Sequence, residues 1–269
     1  GDEAILILDK SPFYAELGGQ IGDSGYIKTK YAKFHFQDTI KIKKNVFGHI
    51  GVLESGSLKC NEQVEASIDE HRRDDIKRNH SVTHLLHKAL KIVLGDHVEQ
   101  KGSLVDNLKT RFDFSHTKPI SNDEIHKIES IVNNEILTNK VTSTKMMSID
   151  KAKESGALML FGEKYDSEVR VLNIGNSIEL CGGTHVSNTG DIGLFKIYSE
   201  TSVASGIRRI EGVTGLNLIK FLNDQGEILT KVSKDLNTKP SEIPSKVSSI
   251  LTQLKENEKK QNQLKSELA

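Results

Sequence analysis

The chain has 269 residues, enough to bury real cores and to form about two units at the usual domain size. Lysine plus arginine equal aspartate plus glutamate at 37 each, so no global charge draws the chain onto nucleic acid or acidic lipid, and any such contact needs a local basic patch. No run approaches the roughly 20 apolar residues of a membrane span, GDEAILILDK is not a signal peptide, and Cys60 and Cys181 make no disulfide framework, which together predict a cytoplasmic protein without a membrane partner.

The first 70 residues hold short β-like runs, AILILD, YIKTKYAKFHFQDTIKIKK and HIGVLESG, set apart by glycine turns. Their alternation predicts a small β-barrel or sandwich over residues 1–70. Between the first two runs lies SPFYAELGGQIGDSG, with Gln20 between Gly19 and Gly22. It reads as a turn region of the barrel or as a loop presenting the Gln20 amide to a ligand. It is no Walker or dinucleotide fingerprint, for it lacks the lysine or the strand-turn-helix context.

At DEHRRDDIKRNHSVTHLLHKALKIVLG the period changes. Ile76, His80, Thr83, His84, His87, Leu90 and Leu94 recur at helical steps, with Gly95 where a C-cap would stand and HRRDDIKR as a charged helix start. VEQKGSLV and LKTRFDFSH then read as strands, residues 121–140 as a helix opened by a Ser121/Glu124 capping box, and VTSTKMMSI as a strand. A short helix over 151–162 and strands in VRVLNIG, SIELCGGTHV and GLFKIYSETSVASGIRRIEGVTG complete an α+β domain over 71–215. Residues 216–269 read as helical. Val247, Ile250, Leu254, Leu264 and Leu268 fall on heptad a and d positions, with Asn257 and Gln261 as polar interruptions, so a helical hairpin or coiled coil is expected. The chain starts without methionine and stops inside that pattern, and it reads as a piece of a longer protein.

Two short motifs carry chemistry. His80 and His84 are four apart on the expected helix, so both imidazoles leave one face and can share an ion. CGGTH adds Cys181 and His185, and one thiolate with three imidazoles is a donor set suited to zinc rather than magnesium or calcium. Gly182 and Gly183 would let the backbone turn so that both ligands face one ion. Each motif alone also reads as an ordinary core histidine pair or a tight turn, and a purely structural zinc stays open beside a catalytic one. Ser81 stands where a zincin protease needs its glutamate, which disfavours peptide hydrolysis of that type. His87 continues the histidine face, as an alternative ligand or a packed residue. Arg208 and Arg209 suit bidentate phosphate contacts, or salt bridges at a surface.

Taken in order, FYAELGGQIGDSG, HSVTHLLHKAL, RFDFSH and CGGTHV through SGIRRIEGVTG resemble the editing region of the alanyl-tRNA synthetase family, shared with free-standing alanyl-tRNA editing proteins, over residues 1–215. The tail resembles the start of the helical region that follows editing. The resemblance implies a zinc-containing hydrolase of mischarged tRNA(Ala), carrying serine or glycine, with Zn2+ on His80, His84, Cys181 and His185. It implies an editing role for Gln20, and Thr83, between the zinc histidines, joins it as a candidate for hydroxyl recognition or for positioning water. Arg208 and Arg209 become tRNA contacts, while Asp113 and His116 of RFDFSH are further titratable candidates. Alanine activation would belong to an adenylation domain outside these residues, and homodimerisation through the helical tail is an open option. The alternatives are a noncatalytic tRNA-binding module with a structural zinc, and a free-standing editing protein.

Overall fold

The computed structural model describes residues 3–159 and 166–268. Two compact units divide the chain, residues 1–218 and residues 219–269.

The first unit opens with β1 (Glu3–Ile7), β2 (Gly25–Lys28), β3 (Lys33–Lys43), β4 (Val46–Ser55) and β5 (Glu65–Ile68). They pair antiparallel in the order β1-β4-β3-β2-β5. The barrel or sandwich expected over 1–70 is replaced by a five-stranded sheet whose pairing is open, with β1 and β5 as its edges. The physical reason lies in its core. Phe34 and Phe36 on β3 and Ile27 on β2 pack with Phe13 from the segment before Gln20, and Leu58 and Val64 pack against the same cluster from the loop before β5. Leu6 of β1, Leu53 of β4 and Ala66 and Ile68 of β5 pack against it too, so the sheet's own strands and the connecting segments cover the apolar face together. The β3-β4 turn places Asn45 at φ 63°, a left-handed conformation that asparagine tolerates.

Helix α1 (Glu70–Leu94) follows, capped at Asp69, whose carboxylate accepts the Arg72 amide at 3.0 Å. It stops at Gly95, φ 114°, whose N–H reaches the Lys91 carbonyl at 3.0 Å. Every residue from Asn79 to His87 is buried. The sequence pattern suggests an amphipathic helix, but here α1 is wrapped on all sides through the stretch that carries the histidines.

The remaining elements are β6 (Gln100–Val105), β7 (Thr110–Ser115), α2 (Asn122–Leu137), β8 (Ser143–Ser148), α3 (Ile149–Glu154), β9 (Glu168–Ile174), β10 (Ser177–Leu180), β11 (Phe195–Ala204) and β12 (Ile207–Thr214). They build a four-stranded sheet, β11-β12-β7-β6, and a three-stranded one, β10-β9-β8, both antiparallel. The capping box at Ser121 and Glu124 forms as read. The short helix expected over 151–162 runs instead from Ile149 to Glu154, and Gly156 at φ 74° turns the chain after it. Residues 160–162 of that expectation lie outside the described residues. Leu85, Leu86, Phe112, Phe114, Ile128 and Leu172, from α1, α2 and both sheets, share one core. The mixed α+β reading of this region is therefore what the chain adopts.

Helix α4 (Gly215–Asp235) leads into the second unit, which continues through a 3-10 turn at Pro240–Glu242 into α5 (Ile243–Leu268). No residue of α5 is buried, and the heptad positions Val247, Leu254 and Leu264 are exposed. Among the described residues no helix is long and apolar enough to cross a membrane.

Candidate metal centre

Three segments far apart in sequence converge on the middle of α1. His80 and His84 project from one side of it, while Cys181 and His185 come from the turn just past β10. One ligand atom from each of the four lies within 4.8 Å of every other. Cys181 Sγ is 3.5 Å from His80 Nε2 and 3.2 Å from His185 Nε2. Tetrahedral zinc, with bonds of about 2.0–2.3 Å, would set such atoms roughly 3.3–3.6 Å apart. His84 Nε2 is buried without a hydrogen-bond partner, as a nitrogen kept for a metal would be. The residues present therefore fit a zinc ion.

Each histidine is also held from behind. Nδ1 of His80 bonds Gln20 Oε1 at 2.7 Å, Nδ1 of His84 bonds Glu179 Oε2 at 2.7 Å, and Nδ1 of His185 lies 3.4 Å from Ser81 Oγ. Such outer partners hold ring orientation and tautomer and leave each Nε2 for the ion. Burial works against charge on His84, yet Glu179 and then Cys181 outweigh it and raise its pKa to about 10. Burial pushes the Cys181 thiol up, but the His80 and His84 rings bring it well below its ordinary value. Burial, aided by His80, lowers His185 to about 3. Burial likewise opposes ionisation of Glu179, and His84 reverses it, so that the carboxyl sits below the usual carboxylate range. These interactions favour the thiolate at Cys181 and the carboxylate at Glu179, the deprotonated forms that a metal site requires.

The CGGTH turn is shaped for this contact. A Cβ on Gly183 would lie 2.0 Å from His80 Cε1 and 2.8 Å from Gln20 Oε1, whereas one on Gly182 meets open space. Neither glycine has a positive φ. The expected hinge of two glycines is therefore a single requirement for room at Gly183. Its amide stands 3.4 Å from Cys181 Sγ, and Arg170 on β9 donates to the carbonyls of Cys181 and Gly183 at 2.9 and 2.8 Å.

Gln20 is fully buried and its amide is engaged. Oε1 also accepts the Thr184 amide at 2.9 Å, while Nε2 donates to Thr184 Oγ1 at 2.9 Å. The loop around it is stitched to β6, where the Val105 amide donates to the Gly19 carbonyl at 2.7 Å and the Ile21 amide to the Val105 carbonyl at 3.1 Å. Gly19, at φ 86°, leaves room for the Ser103 backbone that any side chain would strike. Asp23 anchors the other end, paired with Arg73 of α1, and Arg72 donates to the Gly22 carbonyl at 2.7 Å. The charged start of α1 is therefore a clasp for this loop rather than a solvated face.

The other sequence candidates lie in varied settings. Thr83 is buried, donating to the Asn79 carbonyl at 2.8 Å and accepting from Thr110 Oγ1 at 2.6 Å. Arg208 makes a bidentate pair with Glu200 at 2.5 Å for both bonds, and Arg209 pairs with Asp113 at 2.7 and 2.8 Å. His116 Nδ1 meets His97 Nε2 at 2.9 Å and is outside the four-residue cluster. His87 packs on Phe112 with ring centroids 5.3 Å apart. Sequence reasoning missed Glu179, Ser81 and Arg170. A signal existed for Glu179, since alternate residues of a strand share a face and Glu179 stands two before Cys181. Nothing local marks Arg170.

A cavity of about 680 Å³ lies at the centre, lined by His80, Thr83, His84 and Cys181, and by Tyr14 from the segment between β1 and β2 and Lys41 of β3. Residues 1–72 match the family model of tRNA synthetases class II (A), and residues 169–211 that of the threonyl and alanyl tRNA synthetase second additional domain. The alanine-tRNA ligase of Nitrosospira multiformis is 53% identical over 269 residues, which is 100% of this chain and 31% of that protein. Those of Delftia acidovorans and Methylobacillus flagellatus are each 52% identical with the same coverage. The chain thus spans about a third of the length of the curated relatives it matches. Aligned end to end at this identity and matched by a synthetase model near each end of its first unit, it belongs to the alanyl-tRNA synthetase family.

Proposed function

We propose that this chain is the zinc-dependent editing part of an alanyl-tRNA synthetase, hydrolysing the ester of tRNA(Ala) mischarged with serine or glycine. The observation that carries the reading is the convergence of His80, His84, Cys181 and His185, the first three of which line a cavity, with each ring held at Nδ1 so that Nε2 faces the others. When bound there, zinc supplies Lewis acidity toward an ester carbonyl. Gln20 acts as a positioning residue, locking His80 to the CGGTH turn. Thr83 shapes the wall beside the ligands, its hydroxyl engaged by the helix and Thr110. Burial of His80 and His84 limits water beside the ester. Arg209, whose side chain is 30% exposed against 11% for Arg208, is the stronger tRNA contact of the two, through Nη1 outside the Asp113 pair. The full-length protein would ligate alanine to tRNA(Ala) with ATP in the cytoplasm, and α5 would dimerise through its exposed heptad positions.

The test is deacylation of seryl-tRNA(Ala) by zinc-loaded protein and by Cys181→Ala. The variant is expected to lose zinc and to fall about 100-fold in rate; hydrolysis undiminished in Cys181→Ala sinks the proposal. One observation favours a second reading, a noncatalytic tRNA-binding module with structural zinc: four protein ligands close a tetrahedral shell. Binding of tRNA without any deacylation would decide for it.

A further inference from the structure

His87 lies one turn beyond His84 on α1 and is outside the four-ligand set. It is 6% exposed, lines the same cavity as Thr83 and His84, and neither ring nitrogen has a hydrogen-bond partner. Nδ1 stands 3.4 Å from Glu179 Oε1, an ion-pair distance, and that carboxylate also accepts Ser177 Oγ at 2.8 Å and His84 at 2.7 Å. Packing on Phe112 holds the ring, and Nε2 is left without a hydrogen-bond partner. Buried polar side chains are rarely left so, and one that lines a ligand cavity points to a ligand.

We propose that His87 is a specificity-determining residue, whose imidazole hydrogen-bonds the side-chain hydroxyl of the amino acid esterified to the tRNA end. The inference rests on the hydrolase reading above and names the group by which that site tells serine from alanine. Depth supports it. A side chain so buried can be reached only by the smallest, innermost part of an ester substrate, and that is the amino-acid side chain rather than the nucleotide. Chemistry supports it too, because a hydroxyl both donates and accepts and so meets either tautomer of the ring. The competing polar groups nearby are engaged: Thr83 by Asn79 and Thr110, Glu179 by His84 and Ser177, Gln20 by His80 and Thr184. Alanine lies between glycine and serine in size, so a steric sieve cannot pass serine and stop alanine. A methyl group brought against His87 would leave the ring buried and unpaired, and that penalty separates the two.

The experiment compares single-turnover deacylation of seryl- and glycyl-tRNA(Ala) by the full chain, His87→Phe and His87→Gln, with zinc per chain measured for each. His87→Phe keeps ring size and the Phe112 contact but removes the polar atoms. It is expected to slow seryl-tRNA hydrolysis by at least about tenfold while glycyl-tRNA hydrolysis stays within about threefold and zinc content is unchanged. His87→Gln, which returns a polar atom, is expected to recover part of the serine activity. Parallel loss on both substrates, or loss on neither, overturns the assignment. A parent inactive on both tRNAs overturns the hydrolase reading, and this inference with it.

Discussion

Gly183 is the residue on which the centre is most exposed to a single-atom change. Its Cβ position falls inside the His80 ring, so Gly183→Ala has to displace either a ligand or the Gln20 amide. Zinc affinity is expected to drop about 10- to 100-fold, as it does when outer partners of metal ligands are lost. Gly182→Ala, with open space around its Cβ, should bind zinc within about twofold of the parent, well inside the usual effect of surface changes. A competition titration with a chromophoric chelator reads both, and equal affinities would refute the steric account. At this scale the ligands were legible because H-x3-H and C-x3-H are local spacings that a helix and a turn convert directly into convergence. Glu179 could have been reached by strand alternation from Cys181, whereas the contact of Ser81 with His185 depends on how the CGGTH turn docks on α1, which no local pattern encodes. Arg208 and Arg209 were legible as a pair but not as partners of Glu200 and Asp113, a matter of strand register across β11, β12 and β7.

Among the elements, α1 does two jobs with two parts of its length. Its first turns clasp the Gln20 loop and its middle holds the metal ligands. Asp23 is 1% exposed and takes both Arg73 and the Tyr14 amide, at 2.6 Å for the latter. Removing it strands Arg73, whose side chain is only 17% exposed. Asp23→Ala should therefore cost about 3 kcal/mol of stability, in the range for breaking a largely buried pair, and a urea titration of the first unit measures it; a cost under about 1 kcal/mol, the range of surface ion pairs, would relegate the clasp to that class. The period of three and four made α1 legible, and alternation made the strands so. The open edge-to-edge pairing of the first sheet was not, because alternation reports which face is buried and is silent on what covers it. Here Phe13 and the loop before β5 help to cover it.

For the whole molecule, the division after Leu218 separates the unit with the candidate metal centre from one in which no residue of α5 is buried. Chelation should lower the melting temperature of the first unit and leave the second unchanged, because a ligand stabilises only the state that binds it. Two calorimetric transitions, of which zinc moves one, are expected; a single transition that zinc shifts as a whole would contradict the two-unit description. The heptad of the tail was readable as a repeat, yet a repeat specifies a helix and its stripe without specifying the partner that stripe meets.

The spread of the site along the chain bears on how it comes to exist at all. His80 and Cys181 are 101 positions apart, and Gln20, which steadies His80, lies 60 positions earlier still. A chain growing from its amino end has the histidine pair long before the CGGTH turn emerges, and two imidazoles alone are a poor trap for an ion. Closing a loop of this length costs entropy that the finished core repays. The four donor atoms can therefore stand together only once the core around α1 has brought β10 against it, so any ion they hold would arrive after both segments have been made.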